Sequence, residues 1–62
     1  MLKINDVVRI KSEGISGTIV DISTINGKTN YVVESNIADV TGGYGGKWKL
    51  FDCSESELEK TA

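Results

Sequence analysis

"TIVDISTINGKTNYVVES", residues 18–35, is the stretch that decides the fold. Asn26 and Gly27 lie at its centre, and both tolerate the positive φ angles of a type I′ turn, so the stretch predicts a β-hairpin. With these two residues as the loop, Ile25 faces Lys28 and the pairing continues outward along both arms.

The predicted register places apolar residues opposite one another. Counting outward from the turn pairs Ile22 with Tyr31 and Val20 with Val33, and a slip of one residue would break both matches. We therefore expect this hairpin to form the centre of a sheet whose inner face carries these four side chains.

One charged residue indicates which face of the hairpin points to water. Asp21 is expected in water, so strict alternation along the strand turns Ile19 outward. Val32 also points outward and lies diagonally across from Ile19. These two residues form a candidate apolar patch for a partner or a weak dimer contact. The alternative is that the acidic C-terminal turn covers them.

Two further strands flank the hairpin. In residues 6–11, Val8 and Ile10 alternate with Arg9 and Lys11, which is the period of a half-buried strand. "SEGISG", residues 12–17, contains two glycines and predicts a turn.

"KWKLF", residues 47–51, resumes the alternation after a long loop and predicts a fourth strand. The alternation places Trp48 and Leu50 on the core face and Lys47 and Lys49 on the outer face. Trp48 would then be the largest core side chain of a small sheet, with a contact role as the alternative.

The C-terminal stretch predicts a short helical turn rather than a full helix. Ser54 and Glu57 have the spacing of a capping box, but Leu58 is the lone apolar residue that follows. We expect Leu58 to close one end of the core.

Length and composition indicate one small domain over residues 1–62. The chain is 39% hydrophobic and 26% charged, with a net charge of −2, and a chain of this size buries only about 60% of its unfolded surface. The acidic residues concentrate after Phe51, and an acidic chain is a poor general polyanion binder. A large buried active site is not expected.

The sequence lacks the residues that several kinds of functional site require. The chain has one cysteine, Cys53, and no histidine, which excludes an internal disulfide and a Cys/His zinc site. Cys53 has acidic sequence neighbours, which disfavour a nucleophilic thiolate. We therefore expect no enzyme, cofactor or metal. The sequence also has no membrane span or signal peptide, which predicts a cytoplasmic protein.

The arrangement of these strands resembles a known fold family. "NDVVRIKSEGISGTIVDI", residues 5–22, is similar to the opening of SH3-like barrels of the KOW type, and "GKWKLFDCSESELE", residues 46–59, resembles small SH3-like proteins of phages and prophages of Gram-positive bacteria. The resemblance implies an all-β, small SH3-like barrel of four to five antiparallel strands with a short C-terminal helical turn. Asn5 stands where glycine is usual in KOW sequences, which weakens a transfer of RNA binding.

"GGYGGKW", residues 42–48, is the most distinctive local motif. It does not match a phosphate-binding loop, because Thr41 stands where the first glycine is needed and a strand rather than a helix follows. It is either a mobile hairpin tip or a binding loop. Tyr44 belongs to no periodic pattern, so it is the best candidate for an exposed aromatic side chain.

The candidate partner-binding residues are one aromatic residue and four cations on the predicted outer faces. We expect a protein partner, with a nucleic acid as the alternative, no membrane contact, and a monomer unless the weak dimer forms. The alternative for the cations is a solvated strand face. These residues are Tyr44, Lys47, Lys49, Arg9 and Lys11.

Overall fold

Five antiparallel strands form one sheet in the computed structural model, which describes residues 2–61. The strands are β1 (Val7–Ile10), β2 (Ile15–Ile25), β3 (Lys28–Ser35), β4 (Leu50–Cys53) and β5 (Leu58–Lys60), and a 3₁₀ turn (Glu55–Glu57) precedes β5. Their order in the sheet is β4-β3-β2-β1-β5, so β4 and β5 form its edges. The predicted all-β class and C-terminal turn are confirmed.

The central hairpin forms around the predicted turn. Asn26 and Gly27 have φ angles of 53° and 78°, as a type I′ turn requires. Ile25 pairs with Lys28 and Ile22 with Tyr31, so the register predicted for this end of the hairpin is confirmed.

Further along the hairpin the predicted register is wrong, because β2 contains a bulge. Val33 pairs with Ile19 instead of Val20, and Asp21 pairs with the next residue of β3, Val32. Ile19 is completely buried, whereas Val20 is 42% exposed. The predicted patch of Ile19 and Val32 is therefore not present on the surface.

The bulge reconciles two demands that strict alternation cannot satisfy together. Without an extra residue, Asp21 would share a face with Ile19 and point into the core. One bulged residue shifts the alternation, so Asp21 faces water while Ile19 and Ile22 both face inward. The sequence-based interpretation placed Asp21 and Ile22 correctly and reversed Ile19 and Val20.

The core lies on the inner face of the sheet. All five strands contribute buried side chains to it, and four partly buried apolar residues pack against them: Leu2, Ile15, Ile22 and Val40. The buried apolar residues are Val8, Ile10, Ile19, Tyr31, Val33, Phe51, Cys53 and Leu58.

The fourth strand is shorter than predicted and has the opposite phase. Residues 47–49 lie outside β4, and Phe51 and Cys53 point inward because they pair with Val33 and Tyr31. Leu50 is half-buried. The prediction that Trp48 and Leu50 form the core face of this strand is wrong.

The C-terminal turn confirms the capping-box prediction. The Ser54 backbone N–H donates to the Glu57 carboxylate at 2.8 Å, which satisfies a donor at the start of the turn. Leu58 follows in extended backbone, pairs with Ile10 and is buried. The predicted role of Leu58 in closing the core is confirmed.

Candidate functional site

A loop with two exposed aromatic side chains connects β3 to β4. Tyr44 and Leu50 exchange two backbone hydrogen bonds, at 2.9 Å from the Tyr44 N–H and 2.7 Å from the Leu50 N–H. The Asp39 N–H also donates to the Lys47 carbonyl at 2.9 Å. We call residues 44–50 the aromatic loop.

Gly43 fixes where the aromatic loop begins. Its φ angle is +65°, and an added Cβ would lie 2.7 Å from the Leu50 carbonyl oxygen and 2.9 Å from the Phe51 ring. Only glycine combines this backbone conformation with so close an approach. The start of the loop is therefore packed against Phe51, the last inward aromatic residue of the sheet.

Trp48 is the functional candidate that sequence reasoning placed in the core. Its side chain is 48% exposed, because it belongs to the five-residue segment 45–49 that the Tyr44–Leu50 pair closes. The signal that was available is the Gly45-Gly46 pair just before it, since adjacent glycines favour a loop over a strand.

Tyr44 is exposed as predicted, at 48%, and its hydroxyl lies beside an acidic residue. Its hydroxyl donates a hydrogen bond to a carboxylate oxygen of Asp52 at 3.0 Å. That hydrogen bond, with the nearby charges of Asp52 and Asp21, raises the pKa of the Tyr44 phenol, because ionisation would place a second negative charge there. Sequence reasoning assigned no site role to Asp52.

Two of the four predicted cations lie on the aromatic loop. Lys47 is exposed, while Lys49 is half-buried and its ammonium donates to the Gly45 carbonyl at 3.3 Å. Tyr44, Lys47 and Lys49 therefore form one local group.

The other two cations belong to a different part of the sheet. Arg9 lies in β1 between Ser16 and Glu59 of the neighbouring strands. Lys11 follows β1, and its ammonium donates to the Ser56 carbonyl at 3.3 Å. β2 and β3 separate β1 from β4 in the sheet, so strand pairing does not place Arg9 and Lys11 beside Lys47 and Lys49.

Cys53 is buried, and its environment disfavours the thiolate. Burial, followed by the charges of Glu57, Asp52 and Glu13, raises its pKa to about 11. The thiol also lies 3.8 Å from the Phe51 carbonyl oxygen, within its hydrogen-bonding range. At neutral pH the side chain therefore behaves as a small apolar group.

Residues 2–61 contain no group of three or more acidic, cysteine or histidine side chains placed to hold a metal ion. No pocket is found in this part of the chain. None of the helices that the structure describes is long and apolar enough to cross a membrane.

Comparisons with known proteins give no relative on which to base a function. No protein-family model matches the chain, and neither the curated proteins nor the solved structures contain a significant match.

Proposed function

We propose that this chain is a non-enzymatic protein-binding module whose contact surface is the aromatic loop. The observation that supports this most strongly is the exposure of Tyr44 and Trp48, each 48%, on one short loop held by backbone hydrogen bonds. Tryptophan and tyrosine are enriched at the energetic centres of protein interfaces, where they fill complementary surfaces.

The hydrogen-bonded form of the loop strengthens the proposal. Closing the loop before binding reduces the conformational entropy lost on association. The Tyr44–Leu50 pair and the close packing of Gly43 on Phe51 order the loop in the free protein. Trp48 is therefore presented to a partner at a lower entropic cost than from a disordered segment.

The fold family and the cellular location of the protein are also part of the proposal. The sequence resemblance of residues 5–22 and 46–59 favours a small SH3-like barrel of the kind found in phages and prophages. Interaction through loops on a β-sheet scaffold is a common arrangement in small domains. The location expected for such a module is the cytoplasm.

Affinity capture from the host lysate tests the proposal with matched variants. Wild-type protein, Tyr44→Ala and Trp48→Ala are compared with Ile25→Ala, which truncates a side chain that is 69% exposed at the hairpin turn. We expect one set of proteins to be lost with the first two variants and kept with Ile25→Ala. Equal recovery by all four forms would contradict the aromatic loop as the contact surface.

A second candidate function is nucleic-acid binding by a KOW-like module. The observation that favours it is the run Lys47, Trp48 and Lys49, since an aromatic ring between cations suits a base flanked by phosphates. An amide-shift titration with single-stranded RNA and DNA at two salt concentrations tests it. Shifts at residues 47–49 that weaken steeply with salt support this function, and an unchanged spectrum at low salt rules it out.

A further inference from the structure

The outer face of the sheet beside Tyr44 carries a second surface with a different chemistry. The bulge places Val20 and Asp21 opposite Val32, and Val32 is paired on its other side with Asp52. Directly paired residues of adjacent strands project from the same face. Asp21, Val32 and Asp52 therefore form a row across three strands, with Tyr44 at its end.

The row alternates charge and apolar surface. Val32 is half-buried between the two aspartates, and Val20 is 42% exposed beside Asp21. Adjacent strands are about 4.8 Å apart, so the backbones of Asp21 and Asp52 are separated by roughly 10 Å. That separation leaves room for one flat side chain over Val32 with a carboxylate on each side.

Neither aspartate of this row forms an ion pair with a cation of residues 2–61. In residues 2–61 the one ion pair joins Lys60 to Asp6, at 3.7 Å. On the aromatic loop, the Lys49 ammonium donates to the Gly45 carbonyl. Glu34 lies on the same outer face and adds a third negative charge, and Lys28 at the hairpin turn is the cation on the outer face of β3.

We propose that this face, formed by Val20, Asp21, Val32, Tyr44 and Asp52, binds an arginine-containing segment of a partner protein. The guanidinium group lies over Val32 and donates charge-assisted hydrogen bonds to Asp21 on one side and to Asp52 on the other. The Tyr44 ring, whose hydroxyl donates to Asp52, borders the site on the far side of that aspartate. The aliphatic part of the arginine side chain covers Val20. Arginine suits the site better than lysine because its planar fork donates in two directions.

This inference rests on the proposed function, because it specifies what the partner presents next to the aromatic loop. Tyr44 links the two surfaces, because it lies on the aromatic loop with Trp48 and its hydroxyl donates to Asp52 on the sheet. The negative face also disfavours a nucleic acid at this position, since phosphates would approach two uncompensated carboxylates.

A synthetic peptide tests the inference without the natural partner. The probe is Arg-Ser-Arg-Ser-Arg, acetylated and amidated at its ends, titrated at low salt while the amide shifts are followed. The control peptide has citrulline in place of each arginine, which keeps the shape and removes the charge. We expect shifts at Val32, Tyr44 and Asp52 with the arginine peptide and none with the citrulline peptide.

Charge-matched variants locate the binding face. Asp21→Asn and Asp52→Asn are each expected to raise the Kd of the arginine peptide at least three-fold, because each removes one of the two carboxylates. Glu59→Gln changes the net charge equally on the opposite edge strand and is expected to leave the Kd within two-fold.

Two outcomes would overturn the inference. One is equal binding of the citrulline peptide, and the other is an equal effect of Glu59→Gln and the aspartate variants, which would indicate general attraction to an acidic chain. If either occurs while Trp48→Ala still abolishes capture, the aromatic loop remains the contact surface and the arginine contact alone is wrong.

Discussion

Tyr44 and Leu50 pair through two backbone hydrogen bonds on the side of β4 that faces away from β3. This pair determines the position of Trp48. It closes residues 45–49 into a loop outside the strands, where Trp48 is 48% exposed. The exposure of the chain's one tryptophan therefore follows from a backbone contact that involves neither its own N–H nor its indole ring.

The bulge in β2 predicts a stability difference between two adjacent residues. Ile19→Val removes a methylene group from the core and is expected to lower the free energy of unfolding by about 0.5–1.5 kcal/mol. Val20→Ala truncates an exposed side chain and is expected to change it by less than about 0.5 kcal/mol. Urea unfolding of both variants measures the difference. A larger loss of unfolding free energy for Val20→Ala would contradict the bulge and support the unbulged register.

Alanine substitutions at two glycines between β3 and β4 are expected to differ in their effect on the free energy of unfolding. Gly43→Ala places a Cβ against the Leu50 carbonyl and the Phe51 ring at a positive φ angle, and we expect a loss of about 1–3 kcal/mol. Gly46→Ala is the control, because no atom lies within 4 Å of its added Cβ. Urea unfolding compares the two, and equal stability would show that the loop is not packed on Phe51.

The Cys53 thiol is expected to titrate far above neutral pH. Burial and the neighbouring acids raise its pKa to about 11 in the folded protein from the ordinary thiol value of 9.0, so the unfolded chain ionises first as the pH rises. The neutral Cys53 thiol makes its full contribution to stability below pH 9, and this contribution is lost as the pH rises from 9 to about 11. Thiolate absorbance during a pH titration measures the folded pKa, and a midpoint at or below 9 would contradict the buried, acid-flanked environment.

Trp48 provides a spectroscopic test of its own position. Because it is the one tryptophan of the chain and is about half exposed, we expect red-shifted emission and efficient quenching by acrylamide in the folded protein. Emission that shifts strongly to the red only on unfolding in urea would place the indole ring in the core instead.

The sequence predicted those parts of the fold that depend on local chemistry. Asn26-Gly27 determines the turn by its backbone preferences, and Ser54 with Glu57 determines the C-terminal cap. Alternation failed at Val20 because a bulge is a response to pairing partners on both sides of β2, which a single strand does not encode. It failed at Trp48 because the phase of β4 is set by Val33 opposite Phe51, a contact between distant parts of the chain.

The sequence predicted only part of the candidate site, because the rest depends on contacts between distant parts of the chain. Glycines on both sides of Tyr44 indicated its exposure, and this prediction is confirmed. Its neighbours depend on tertiary pairing, since Asp52 reaches the tyrosine hydroxyl only when residue 44 pairs with residue 50. The four candidate cations were grouped because they lie on the predicted outer faces of two strands, but the sheet order keeps β1 apart from β4.

The central claim, that the aromatic loop contacts the partner, is tested most directly by amide hydrogen exchange in the complex with a captured protein. We predict slower exchange at residues 45–49 on binding, with unchanged exchange at the hairpin turn, residues 24–29. Protection confined to the hairpin turn or to β1, with residues 45–49 exchanging as in the free protein, would contradict the claim.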